Sequence, residues 1–187
     1  LDETKCYDSV VREIAFGAAQ DLGCPEGLVD SQRRFYQDLL RTFKYQDSVG
    51  TWWLTQTSIA QGCALSQIWI NVTVHFWAKY IEEQVPDVRT SAFIDDRSMR
   101  SAKVSSMGRG LDSTTFYDKK TGKDSNPDKT HVGATQPKDR KLLEDLRLNG
   151  KPIEVVASEK LVGVQHSYEH KARKAVQQDR ADKAVAT

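Results

Sequence analysis

The chain has 187 residues, in which 27 Lys and Arg nearly balance 26 Asp and Glu for a formal net charge of +1. One domain's length with 39% hydrophobic residues and four Trp excludes a disordered polymer, and the balanced charge excludes a grip on polyanions through an overall field. With no run of about 18 apolar residues and no charged-then-apolar leader, the expectation is a soluble intracellular protein of the cytoplasm or nucleus with no membrane partner.

Cys6, Cys24 and Cys63 are odd in number and lack metal-ligand spacing, which fits a reduced compartment. The opening at Leu1 rather than Met reads as an internal fragment. The Asn71-Val72-Thr73 triplet matches a glycosylation acceptor, but it falls in an apolar helical pattern and is read as coincidence.

The opening LDETKCYDSVVREIAFGAAQDLG predicts a short strand and then a helix with Val10, Ile14 and Ala18 on one side, stopped by Gly23 and Pro25. GLVDSQRRFYQDLLRTFKYQ predicts a second helix whose stripe runs through Phe35, Tyr36, Leu39, Leu40 and Phe43. GTWWLTQTSIAQG reads as extended structure ending at Gly62. From Leu65 to Ile81 one apolar stripe holds Leu65, Ile68, Trp69, Val72, Phe76 and Tyr80, and a second holds Ile70, Val74, Trp77 and Ile81, which predicts the most buried helix. VRTSAFIDD predicts a short strand ending in carboxylates, Ser98 to Tyr117 a strand followed by a helix, and DKKTGKDSNPDK a polar loop. THVGAT, PIEVVAS and KLVGVQH predict late strands, and the charged, Ala-rich tail is either an exposed helix or a frayed end.

Asp95 and Asp96 follow an apolar run side by side, where each anion raises the proton affinity of the other. Two readings stand: a solvated turn, which Asp favours, or a divalent-metal site, where a cation turns the repulsion into binding. Asp2 and Asp8 sit in a second acidic, strand-like segment. If the strands carrying Asp2 and Asp95 are neighbours, three carboxylates converge in the kind of oxygen set that Mg²⁺ takes alongside phosphate. Such a site suits phosphoryl or nucleotidyl transfer.

Five segments then occur in order: LDETKCYDSV, SIAQGCALSQIWIN, AFIDDRSM, NPDKTHVG and EKLVGV. Together they resemble the successive palm motifs of reverse transcriptases, especially those of retrotransposons and group II introns. The family patterns are an Asp with an aromatic five residues on, Gln-Gly-x-x-Leu-Ser with a later Asn, aromatic-x-Asp-Asp, a Lys after Asn-Pro, and a Leu-Gly hairpin. The resemblance covers roughly Leu1 to Gln165. Departures are Gln67 for a common Pro, Cys63-Ala64 for Asp-Pro, and Phe93-Ile94 for Tyr-Ala.

The resemblance implies an α+β polymerase palm over residues 1–165, an antiparallel sheet carrying the carboxylates with helices packed on one face. Residues 166–187 would be a charged segment, either the start of a thumb or a frayed helix. It implies Asp2, Asp95 and Asp96 as ligands of two Mg²⁺ or Mn²⁺ ions and Tyr7 as a steric gate against a 2′-hydroxyl, against a plain packing role for the ring. Gln61, Gly62, Ser66 and Asn71 would border the incoming nucleotide, although each alone reads as structural. Lys129 would act as acid or counter-charge toward pyrophosphate, against a solvated loop lysine, and Lys160, Leu161, Val162 and Gly163 would form the primer grip. The implied partners are an RNA template, a DNA primer, deoxynucleoside triphosphates, and the fingers and thumb of a parent polyprotein, without which the fragment is inactive. The alternative is an inactive or domesticated palm that only binds nucleic acid or protein. An RNA-dependent RNA polymerase palm shares the Asp-Asp turn, but Tyr7 speaks against it.

Overall fold

The computed structural model describes residues 1–161 and 164–168. Strand β1 (Asp2–Glu3) leads into helix α1 (Cys6–Ser9), and after a break at Val10 come α2 (Arg12–Asp21) and α3 (Glu26–Gln37). Val10 is extended (φ −62°, ψ 118°), so helical phase restarts after it. The buried side of α2 is therefore Arg12, Ala15, Phe16 and Ala19, while Ile14 is 39% exposed, which corrects the expected Val10–Ile14–Ala18 stripe. Gly23 follows α2 at φ +84°, the left-handed exit that glycine takes without steric cost.

The expected second helix is shorter than its apolar spacing suggested. α3 ends at Gln37, and the chain continues through β2 (Leu40–Arg41), β3 (Lys44–Tyr45), β4 (Ser48–Val49) and β5 (Trp53–Leu54). β2 pairs with β5 and β3 with β4, making a nested antiparallel excursion. Spacing at Leu39, Leu40 and Phe43 serves a strand pair as well as a helix, and cross-strand bonds are formed here. Of the expected stripe only Tyr36 is fully buried, and Phe43 is 76% exposed.

Helix α4 (Ser66–Gln84) carries Trp69, Ile70, Trp77 and Ile81 at full burial and packs on α2 and on the elements that follow it. The stripe through Ile70, Val74, Trp77 and Ile81 forms as expected. The other is only partly covered, with Ile68 43% exposed and Phe76 half-buried. β6 (Val88–Phe93) and β7 (Asp96–Ser101) form a hairpin registered from Val88 opposite Ser101 to Phe93 opposite Asp96. α5 (Val104–Thr121) packs on this hairpin and on α4, and ends at Gly122 with φ +73°.

The expected polar loop holds β8 (Ser125–Asn126) and a 3₁₀ turn at Pro127–Lys129. Then follow β9 (His131–Val132), α6 (Pro137–Leu143), β10 (Arg147–Leu148), β11 (Lys151–Pro152), β12 (Glu154–Val155), β13 (Ser158–Leu161) and β14 (Val164–Ser167). Helix α6 has no counterpart among the expected elements. Asn149 and Gly150, both at positive φ, close the β10–β11 hairpin with the dipeptide such turns favour. β12 and β9 are parallel; the other pairings are antiparallel.

The fold is thus mixed α and β, with six helices and short, mainly antiparallel sheets among the described residues. Its main core gathers Phe16, Tyr36, Trp69, Trp77 and Val88, and a smaller one gathers Leu111, Leu148 and Ile153. Among the described residues no helix is long and apolar enough to cross a membrane.

Candidate functional site

The turn between β6 and β7 contains only Ile94 and Asp95, because Phe93 pairs directly with Asp96. Ile94 has φ +56°, a left-handed conformation that costs a β-branched residue on the order of 1–3 kcal/mol. Packing of the half-buried Ile94 side chain against the main core holds it there. The result is an exposed Asp95 at the hairpin tip and an exposed Asp96 at the start of β7.

The tip stands beside β1. The amino group of Leu1 donates to the Arg97 carbonyl at 2.8 Å, and the Arg97 N–H donates back to the Leu1 carbonyl at 3.2 Å. This reciprocal pair is one antiparallel bridge, and it holds the N-terminal segment and β1 close to β7. On its other side Asp2 pairs with Asn126. Two strand pairs, β1 with β8 and β6 with β7, are thus brought together by the Leu1–Arg97 bridge. The Asp2 side chain lies outside the described residues.

Alternation along the hairpin separates two faces. Val88, Thr90, Arg97 and Met99 turn inward, whereas Arg89, Ser91, Phe93, Asp96 and Arg100 are exposed. Beneath the tip, the buried Arg97 guanidinium forks onto Asp118 at 2.8 and 3.0 Å, reaches Ser125 Oγ at 2.8 Å and lies 5.1 Å from the Trp77 ring centroid. Burial opposes the Arg97 charge, and the Asp118 carboxylate outweighs it, holding the guanidinium above its ordinary pKa. A second buried pair joins Lys123 to Glu3, whose carboxylate also accepts from Ser9 Oγ at 3.2 Å. β1, β7, β8 and α5 are thereby clamped from below.

Above the clamp lies a cleft of about 370 Å³. Asp95, Tyr7, Gln61 and Lys129 all line it, although they come from four separate segments. Lys5, Asp8 and Asn126 line it too, and sequence reading missed them as site residues. The Asn-Pro pair preceding Lys129 was the available signal for Asn126; Lys5, with φ +50°, offered none. Cys6 also borders the cleft, but burial first, and then the Glu3 carboxylate, push its thiol up to about 12, so it is inert as a nucleophile at neutral pH.

The remaining expected site residues sit apart from this lining. Gly62 is exposed at φ +86°, and a Cβ there would meet nothing within 4 Å, so the left-handed turn is what requires glycine. Ser66 is buried at the start of α4 and donates to the Cys63 carbonyl at 2.7 Å, while Asn71 is exposed on the same helix. Lys160 and Leu161 belong to β13, which pairs with β14; Val162 and Gly163 lie outside the described residues. Among the described residues no three His, Cys, Asp or Glu side chains converge to hold a metal. The oxygen donors at the tip, Asp95 and Asp96, with Asp2 on the neighbouring β1, are of the chemical type Mg²⁺ and Mn²⁺ take. Lys5 and Lys129 add ammonium groups suited to phosphate.

No family model matches the chain, and no curated protein matches it.

Proposed function

We propose that the chain is the palm of a retroelement reverse transcriptase, an RNA-directed DNA polymerase that extends a DNA primer on an RNA template. The observation that carries this reading is the meeting of Asp95, Tyr7, Gln61 and Lys129 in one cleft. The four lie in different motifs of the resemblance, far apart in sequence, and a chance resemblance gives no reason for them to share a cavity. The bridge between Leu1 and Arg97, which brings β1 to β7, supports the same conclusion, as does a left-handed Ile94 at the tip, since backbone strain concentrates at functional sites.

In this reading Asp2, Asp95 and Asp96 hold two Mg²⁺ or Mn²⁺ ions. When bound, the ions make the primer 3′-hydroxyl more acidic and stabilise the leaving oxygen. Tyr7 excludes a 2′-hydroxyl by bulk, and Gln61 borders the nascent pair. Lys129 places positive charge where pyrophosphate departs. The exposed face of the hairpin, with Arg89 and Arg100, meets the primer–template backbone.

The test compares the wild type with Asp95→Asn. In 10 mM Mg²⁺ or Mn²⁺ the wild type gains about 1.4 kcal/mol for a dissociation constant of about 1 mM, by mass action on the folded state. Asp95→Asn gains nothing, and without metal it is as stable as the wild type or slightly more so, because like-charge repulsion with Asp96 is relieved. In a polypeptide that includes fingers and thumb, the same substitution abolishes primer extension. Equal melting of both proteins with and without metal, together with extension that survives, refutes the polymerase reading. A metal response without any extension in the longer polypeptide favours the inactive, binding-only palm.

A further inference from the structure

A second cavity, of about 680 Å³, forms where the β2–β5 excursion meets the loop at Thr57 and Ser58. Its aromatic wall is Phe43, Trp52 and Trp53. The Phe43 and Trp53 rings are 4.9 Å apart, and Phe43 and Trp52 are 76% and 59% exposed. Aromatic rings this open to water are a costly way to finish a surface and suit a flat, weakly hydrated partner.

The floor is cationic. Arg41 lines the cavity, donates to Ser58 Oγ at 2.7 Å, and has its Nη2 buried with no hydrogen-bond partner. Behind it the buried Arg12 donates to the Tyr36, Thr55, Thr57 and Ser58 carbonyls and to Thr55 Oγ1. Burial first, and then the neighbouring Arg41 charge, lower the Arg12 pKa, so the two guanidiniums repel. The nearby acid is Asp8, which accepts from Ser58 Oγ at 3.2 Å. One carboxylate beside two guanidiniums leaves the floor positive and complementary to an anion. Asp8 also lines the carboxylate cleft, so the two cavities share a rim.

We propose that this aromatic cavity binds a single-stranded segment of nucleic acid, a base stacked on Phe43 and Trp52 and a phosphate at Arg41. Flat rings paired with a guanidinium are the combination that takes bases and phosphates without regard to sequence. The shared rim makes the cavity a continuation of the path through the cleft. This inference rests on the polymerase reading for its choice of nucleic acid over a protein segment as occupant.

The test uses the 187-residue chain with fluorescein-labelled dT and rU hexanucleotides, read by anisotropy. Both bind the wild type, and a preference between them identifies DNA or RNA as the natural strand. Phe43→Ala and Trp52→Ala, at exposed positions that leave the core intact, each weaken binding by roughly 5- to 150-fold, the factor that loss of one stacked base produces. Arg41→Gln lowers the slope of log affinity against log salt by about 0.7, the value for one single-strand phosphate contact. Absence of binding, or binding indifferent to Phe43 and Trp52, overturns the proposal. Self-association that Trp52→Ala abolishes, with no oligonucleotide bound, also overturns it and makes the cavity an interface between copies. Because binding is scored without catalysis, failure of primer extension or of the metal response removes the polymerase reading and leaves this result to stand or fall alone.

Discussion

Asp118→Ala tests whether the clamp under the acidic tip holds the fold together. Arg97 makes three charge-assisted hydrogen bonds, two to Asp118 and one to Ser125 Oγ, and its Nε has no partner already. The side chains are 1% and 4% exposed, so water cannot replace the lost carboxylate without opening the core. Removing one partner of a buried pair costs about 3–5 kcal/mol, because a buried charge is left without compensation. Against a total stability of about 5–15 kcal/mol for a domain, the loss is severe. Urea melts followed by far-ultraviolet circular dichroism, with the slope unchanged from the wild type, measure it directly. The double variant Arg97→Met/Asp118→Leu should return to within about 1 kcal/mol of the wild type, since apolar replacement of both partners removes the desolvation cost as well. A loss under about 1 kcal/mol for Asp118→Ala would show that Arg97 reaches solvent, and the account of a dry clamp beneath Asp95 and Asp96 would be wrong.

Two further outcomes follow from burial. Trp77→Ala should cost about 3–5 kcal/mol, because the ring is fully buried and its Nε1 donates to Thr114 Oγ1 at 3.2 Å, whereas half-buried Phe76→Ala should cost about 1–2 kcal/mol; equal losses in denaturant melts would contradict this assignment of the two faces of α4. From neutral pH stability should be level to about pH 9 and fall above it, because burial raises Cys6 from 9.0 to about 12 and Tyr117 from 10.0 to about 12, so the unfolded chain releases those protons first. Cys6→Ala should remove the onset near pH 9 and leave the later fall due to Tyr117 and to Tyr36, whose hydroxyl burial also raises, and a wild type whose melting temperature is constant from pH 8 to 11 would contradict the burial of these groups.

Local pattern carried much of the architecture. Two apolar stripes across Leu65 to Ile81 specify a helix covered on more than one side, and such a pattern has few other solutions in water. The Phe-Ile-Asp-Asp run placed a strand end and its carboxylates in the right order, and Gly23 with Pro25 marked a helix stop. The pattern failed where one spacing serves two structures. Leu40 and Phe43 fit a helical stripe, but their segment pairs as strands and leaves them exposed, an outcome decided by pairing of Leu40 with Leu54 and of Arg41 with Trp53, far along the chain. Val10 fits the stripe of α2, yet its extended backbone resets the helical phase.

The candidate site divides along the same line. Residue identities at Asp95, Tyr7, Gln61 and Lys129 are in the sequence, because chemistry needs particular side chains. Their meeting is not, because it depends on a bridge between Leu1 and Arg97 and on a buried fork between Arg97 and Asp118. Arg97 and Asp118 look like ordinary surface charges in a chain that is 28% charged. Only packing α5 against the hairpin takes them out of water, and with that step their charges change from solvated decoration to the clamp on which the acidic tip rests.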